Sequence, residues 1–138
     1  MTLYETVRAF ENIALEQPNI RSVGHNRLYD DMNATPSLKY RVFYLTQNAH
    51  KSNDLFDIYS FNAFVIDRLR DDKTNELEAE SYAKETLDNI LTKFCEMYQA
   101  ELVGTRKYQP FTEKFADETC GMYVTFEVEV PKDLICPE

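Results

Sequence analysis

Tryptophan is absent from this chain of 138 residues, and glycine occurs only three times. Gly24, Gly104 and Gly121 each stand alone. A phosphate cradle needs clustered glycines that let backbone N–H groups approach the anion, so their isolation argues against P-loop and Rossmann-type nucleotide sites. Histidine occurs twice, as His25 and His50, both in polar loop segments. Nucleophilic catalysis needs a base beside the nucleophile, and neither histidine lies in such a motif, so both read as surface residues. The three cysteines, Cys95, Cys120 and Cys136, are odd in number and widely spaced, with no CxxC and no Cys/His ligand set. They point to a reducing compartment, with Cys95 on a helical apolar stripe as a core residue. Cations are scarce: Lys and Arg number 15 against 24 Asp and Glu, for a net charge of −9. Phosphate binding rests on clustered Lys and Arg, so this balance argues against a general nucleic-acid binder. It still allows a surface that DNA passes without adhering. Long apolar runs are missing as well. No stretch is long enough to span a membrane, and Met1–Glu5 has no basic segment leading into an apolar run, so no signal peptide is expected.

What is present suits one domain. Hydrophobic residues make up 43% of the chain, enough to bury a core at this length without disulfides or metals. Nine Tyr and nine Phe supply the aromatic content, and core packing and strand faces account for most of them. Tyrosine also suits subunit contacts, where a ring is buried and its hydroxyl stays wet. The clearest strand is Met122–Val130. Val124, Phe126, Val128 and Val130 point one way, and Tyr123, Thr125, Glu127 and Glu129 point the other.

Thr2-Leu3-Tyr4-Glu5 fits a capping box opening a first helix, with Leu3, Val7, Phe10, Ile13 and Ala14 as its stripe and Pro18 at its end. Ile20–Val23 is a short strand stopped by Gly24, and His25–Pro36 is polar and turn-rich, with Leu28, Tyr29 and Met32 as anchors. Leu38–Leu45 and Leu55–Leu69 read as the two arms of a long hairpin around the polar loop Gln47–Asp54. The apolar phase of the second arm is mixed: Phe56, Ile58, Phe64 and Ile66 share one parity, and Phe61, Ala63 and Val65 the other. A bulge near Asn62 explains this, and so does burial of both faces, one of them by a neighbouring subunit. Arg68–Glu78 is a charged, exposed connection, and Glu80–Ala100 is the strongest helix, with Ala83, Leu87, Ile90, Leu91, Phe94 and Tyr98 at helical spacing. Leu102–Tyr108 is a further strand. The expected result is an α+β fold, a mostly antiparallel sheet with both helices packed on one face.

Two groups of residues bear on chemistry. Asp67, Asp71 and Asp72, with Glu76 and Glu78, lie between a strand and a helix and are a candidate metal or acid–base cluster for a small hydrolase. Arg68, Arg70 and Lys73 are interleaved with them, which favours a solvated charged loop. Lys39-Tyr40-Arg41-Val42-Phe43-Tyr44 interleaves cations and aromatics, as a track for single-stranded nucleic acid would. Strand alternation separates Lys39 and Arg41 from Tyr40 and Tyr44, so the track is not formed on one face. A soluble binding or regulatory module also fits the composition.

The element order, the Val23-Gly24 strand end, the hairpin ending near Asp67 and the segment Pro110-Phe111-Thr112-Glu113-Lys114-Phe115-Ala116-Asp117 before the final strand form one pattern. It resembles a group of small structural proteins encoded by tailed bacteriophages of Bacteroidetes hosts, including crAss-like phages. It is also similar in element order to tail-terminator and tail-completion proteins. It departs from the pattern at Met122-Tyr123, where a tryptophan is expected after the glycine. The resemblance implies a virion structural protein that forms a sixfold or twelvefold ring in the neck or at the tail top, with no catalysis, no metal and no cofactor. The implied partners are further copies of the chain, neighbouring neck, portal or tail proteins, and double-stranded DNA passing through the channel without specific binding. Such a protein is made in the bacterial host cytoplasm and ends in the virion, without a membrane association. On this reading residues 38–69 form a protruding arm. The expected subunit interface is Phe43, Leu45, Phe56, Ile58 and Tyr59 on the hairpin, with Phe111 and Phe115 on the approach to the last strand.

Overall fold

A computed structural model describes residues 1–26, 39–69, 74–114 and 118–132. The elements are α1 (Leu3–Leu15), β1 (Ser22–His25), β2 (Val42–Gln47), β3 (Lys51–Ser52), β4 (Phe56–Arg68), α2 (Glu76–Tyr98), β5 (Glu101–Lys114) and β6 (Glu118–Pro131). The strands form a six-stranded sheet in the order β1-β2-β4-β6-β5, with β3 paired to β4. Only β1 and β2 run parallel, and every other pairing is antiparallel. This is the expected α+β fold.

The capping box forms. The Glu5 N–H donates to Thr2 Oγ1 at 3.1 Å, and the Thr2 N–H donates to Glu5 Oε1 at 3.0 Å. Both satisfy N–H groups that the first turn leaves without helical partners. The second helix begins at Glu76, earlier than the apolar spacing indicates. Glu76 and Glu78 occupy its first turn, where carboxylates favour the positive end of the helix dipole.

Both helices pack on one face of the sheet. Phe10 of α1 stacks on Phe94 of α2 with ring centroids 4.0 Å apart, and meets Phe61 of β4 and Phe126 of β6 edge-on at 5.9 and 5.5 Å. These four rings tie the helical layer to the two central strands. Val124, Phe126, Val128 and Val130 all lie in this core, as their alternation indicates.

The β4–β6 ladder runs unbroken from Phe56↔Pro131 to Arg68↔Thr119. There is no bulge near Asn62, and the mixed phase of β4 has the other origin, apolar side chains on both faces. The irregularity lies instead in β5, between Val103 and Lys107, where Gly104 adopts φ 70°. The hairpin is also not a protruding arm. Its outer edges pair with β1 and with β6, so residues 42–68 form the interior of the sheet. A central strand offers two rows of backbone donors and acceptors, and both rows need partners.

The approach segment Tyr108–Lys114 is itself strand and extends β5 well beyond Tyr108. Pro110 is tolerated there because β5 is an edge strand, where a missing N–H costs no ladder bond. Gly121 pairs with Ile66 and has φ 155°, and a Cβ at this position would lie 2.0 Å from the Val65 carbonyl oxygen. Only glycine fits the ladder here.

Gly121→Ala is expected to destabilise the protein by about 3 kcal/mol, through strain and a disrupted ladder. Gly104→Ala also sits at a positive φ, 70°, but meets open space, and should cost about 1 kcal/mol. Urea unfolding of the two variants measures the difference. Equal losses would contradict the steric account of Gly121.

Candidate assembly interface on the open face of the sheet

The helices occupy one sheet face, and strand alternation determines what the opposite face carries. On β4 it carries Phe56, Ile58, Ser60, Asn62, Phe64 and Ile66, and in register on β6 Glu129, Glu127, Thr125, Tyr123 and Gly121. From β2 come Val42, Tyr44 and Thr46, and from β5 Phe111, Gln109, Lys107, Val103 and Glu101. These side chains sort into three zones along the strands.

At one end the zone is aromatic. Phe64 stacks on Tyr123 with centroids 5.1 Å apart and meets Phe111 edge-on at 5.8 Å. The Tyr123 hydroxyl donates to Gln109 Oε1 at 2.7 Å, which holds the ring against its cross-strand neighbour. Val42, Tyr44 and Ile66 are buried beside them and pack with Tyr40, Phe64 and Phe111. The Tyr44 ring lies on Gly24, where a Cβ would come within 2.6 Å of it. Phe64, Phe111 and Tyr123 remain half-buried.

The middle zone is an uncharged polar network on β2, β4 and β6, with the exposed Lys107 of β5 in register beside it. Asn62 donates to Thr46 Oγ1 at 3.3 Å and to Asn48 Oδ1 at 3.2 Å, and accepts from the Thr125 hydroxyl at 2.7 Å. Three adjacent strands are thereby linked on one face. At the far end the zone turns acidic, with Glu127, Glu129 and Glu101. Lys51 approaches Glu127 at 3.9 Å across an exposed surface, a contact worth under about 1 kcal/mol.

The expected interface residues divide by parity. Phe43 and Leu45 are both 0% exposed, and Tyr59 is 8% exposed with its hydroxyl bonded to the Met1 carbonyl at 2.9 Å. All three lie under the helices in the main core, so their burial is used within the chain. They are corrected from interface to core. Phe56 and Ile58 lie on the open face and are half-buried, and Phe111 belongs to the aromatic zone. Phe115 lies outside the described residues. Phe64 and Tyr123 complete the aromatic zone and were not among the expected residues. Their signal was parity: Phe64 shares the phase of Phe56 and Ile58, and Tyr123 the phase of Glu127 and Glu129.

Asp67 is committed to a structural pair. It accepts from Arg41 Nε at 2.8 Å, and the Arg41 guanidinium lies 3.7 Å over the Tyr82 ring. Burial works against the Arg41 charge, but the hydrogen bond and charge of Asp67 outweigh it and raise the pKa. The Tyr82 hydroxyl in turn donates to the Pro18 carbonyl. Asp71 and Asp72 lie outside the described residues. Among the described residues no three His, Cys, Asp or Glu side chains are grouped to hold a metal ion. His50 is half-buried rather than a free surface group. Its Nδ1 accepts from the Ser60 N–H at 3.1 Å, and its Nε2 lies 3.0 Å from Gln47 Oε1. The ring packs against Tyr59 and Phe61, so His50 fastens the hairpin tip.

No protein-family model and no curated protein matches this chain.

No helix among the described residues is long and apolar enough to cross a membrane. Cys95 is half-buried against the core, and Cys120 is fully buried beneath the helix side of the sheet. Burial, followed by the charges of Asp67, Glu76 and Glu80, pushes the Cys120 thiol up to about 11, from an ordinary value of 9.0. The folded state therefore holds this proton more tightly than the unfolded chain does. That contribution is fully present below pH 9 and is lost as pH rises towards 11. Between these limits the wild type should lose more stability than a Cys120→Ala variant, as read from urea midpoints at stepped pH. Parallel losses in the two proteins would remove Cys120 as the cause.

Proposed function

We propose that this protein is a virion structural protein of a tailed bacteriophage, one that forms an oligomeric ring in the neck or at the tail top. The observation that carries this reading is the open face of the sheet. Three aromatic side chains, Phe64, Phe111 and Tyr123, form a half-buried cluster on the side opposite both helices. A cluster of this kind supplies the apolar centre that a subunit contact needs, and the polar network beside it supplies a rim. The long β4–β6 ladder gives the face a rigid backing.

The remaining properties support the same reading. A net charge of −9 suits a channel through which double-stranded DNA slides, because like charge suppresses sticking. Asp67, the centre of the candidate hydrolase cluster, is engaged by Arg41. The protein acts by shape and contact rather than by catalysis. Its partners are copies of itself and the adjoining neck, portal or tail proteins, and its place is the virion.

The mass of the native assembly tests this. The wild-type chain should give a discrete ring mass in native mass spectrometry and closed rings in electron micrographs. Phe64→Ser and Tyr123→Ser should each lower ring yield while costing the fold only about 1 kcal/mol, since both rings are half-exposed. A wild-type chain that stays monomeric or dimeric at every concentration refutes the ring. A ring whose lumen proves basic refutes the DNA-channel role.

A further inference from the structure

Opposite corners of the sheet carry complementary charges that nothing within the described chain neutralises. At the β5–β6 corner, Glu101 stands directly across from Glu129 in register. Like charges facing each other across a strand pair oppose the pairing. Among the described residues neither carboxylate has an ion-pair partner, and Lys51 reaches Glu127 instead. The cations further along β5, Arg106 and Lys107, lie at the bulge, with Lys107 in register with Thr125. Val103, 40% exposed, sits beside the carboxylates in the same strand.

The diagonal corner is basic. Arg21 precedes β1 and Lys39 precedes β2, and both are exposed. Local hydrogen bonds hold them together. The Arg21 N–H donates to the Arg41 carbonyl at 2.9 Å, and the Ser22 hydroxyl donates to the Lys39 carbonyl at 2.8 Å. Arg41 itself is matched by Asp67. Among the described residues Arg21 and Lys39 have no carboxylate partner. The strand order places β1 and β2 at one edge and β6 and β5 at the other. The registers also put Val42 and Glu129 at opposite ends of the strands. The two corners are too far apart to meet within one chain.

We propose that they meet between chains, with Glu101 and Glu129 of one subunit receiving Arg21 and Lys39 of the next. The contact joins two different patches. Made once between each pair of subunits it is heterologous, and repeated around an axis it closes into a ring when the rotation permits; made in both directions within one pair it gives an isologous dimer instead. The charges fix direction and register, and the aromatic zone supplies apolar area. The inference rests on the ring reading and specifies which surfaces form its contact.

Charge reversal tests it on the full chain. Two variants are needed, E101K/E129K and R21E/K39E. All four sites are strand-end or preceding positions, and matching circular dichroism and melting curves confirm that each variant is folded. Each variant alone presents like charges at both corners. Its half-assembly concentration in sedimentation velocity should rise more than about tenfold over wild type. Mixed in equal amounts, the two variants should assemble again, as rings with an even number of subunits that alternate in native mass spectrometry. Raising salt should weaken the wild-type assembly and the mixed assembly alike. A wild type that assembles while both variants assemble equally well overturns this contact and leaves the ring reading standing. Failure of the mixture to reassemble also overturns it. A wild type that never assembles overturns both.

Discussion

Thirteen consecutive residue pairs join β4 to β6 without a slip. Period-two alternation then assigns every side chain of both strands to one face or the other, and a slip of one residue would exchange the faces. Tyr59, Phe61, Ala63 and Val65 come to lie beside Val128, Phe126, Val124 and Met122. Phe10 and Phe94 seat the helices on that row. The register is held at one point by a steric requirement, since Gly121 must pass close to the Val65 carbonyl. The helical layer, the core and the composition of the open face all follow from this single ladder.

The same alternation leaves the other face with its own chemistry. Aromatic side chains at one end, amides and hydroxyls in the middle and carboxylates at the far end form a gradient along the strands. Such a gradient has direction, so a partner that reads it binds in one orientation. The edges of the sheet offer less. The edge strand β1 has only four residues, and β5 is interrupted by its bulge and by Pro110. Both devices discourage strand addition at an edge. For the proposed ring, this leaves contact through faces and corners.

Much of this was legible in the sequence because it is local. The capping box of α1, the apolar spacing of α2 and the alternation of β6 are patterns within a few residues, and each element formed, with α2 starting at Glu76, ahead of its apolar spacing. The errors concern pairing between distant segments. A hairpin is visible in the sequence, but the partners of its outer edges are not, so residues 38–69 read as an arm rather than as the middle of the sheet. On a hairpin that stands out as an arm, Phe43 and Leu45 would face a neighbouring subunit. Once β4 is fixed by β6, their parity sends them under the helices. The bulge was expected near Asn62 from a mixed apolar phase, whereas the local signal for it was Gly104, a lone glycine in a strand. The open face is half legible: Phe111, Phe56 and Ile58 are readable in the sequence, while Phe64 and Tyr123 have the right parity but are joined into one cluster only by the cross-strand register.

The central ladder also governs how the chain reaches its fold. Phe56 waits for Pro131 and Arg68 for Thr119, with α2 and all of β5 between them in the chain. The hairpins β2–β4 and β5–β6 are local and close early, but they cannot share a core until they meet. A chain built this way folds at the pace of one long-range encounter rather than of its helices. Until that encounter, the outer edge of β4 presents an apolar, unpaired strand to every other nascent copy. For the proposed ring, this pairing must therefore be finished before assembly begins.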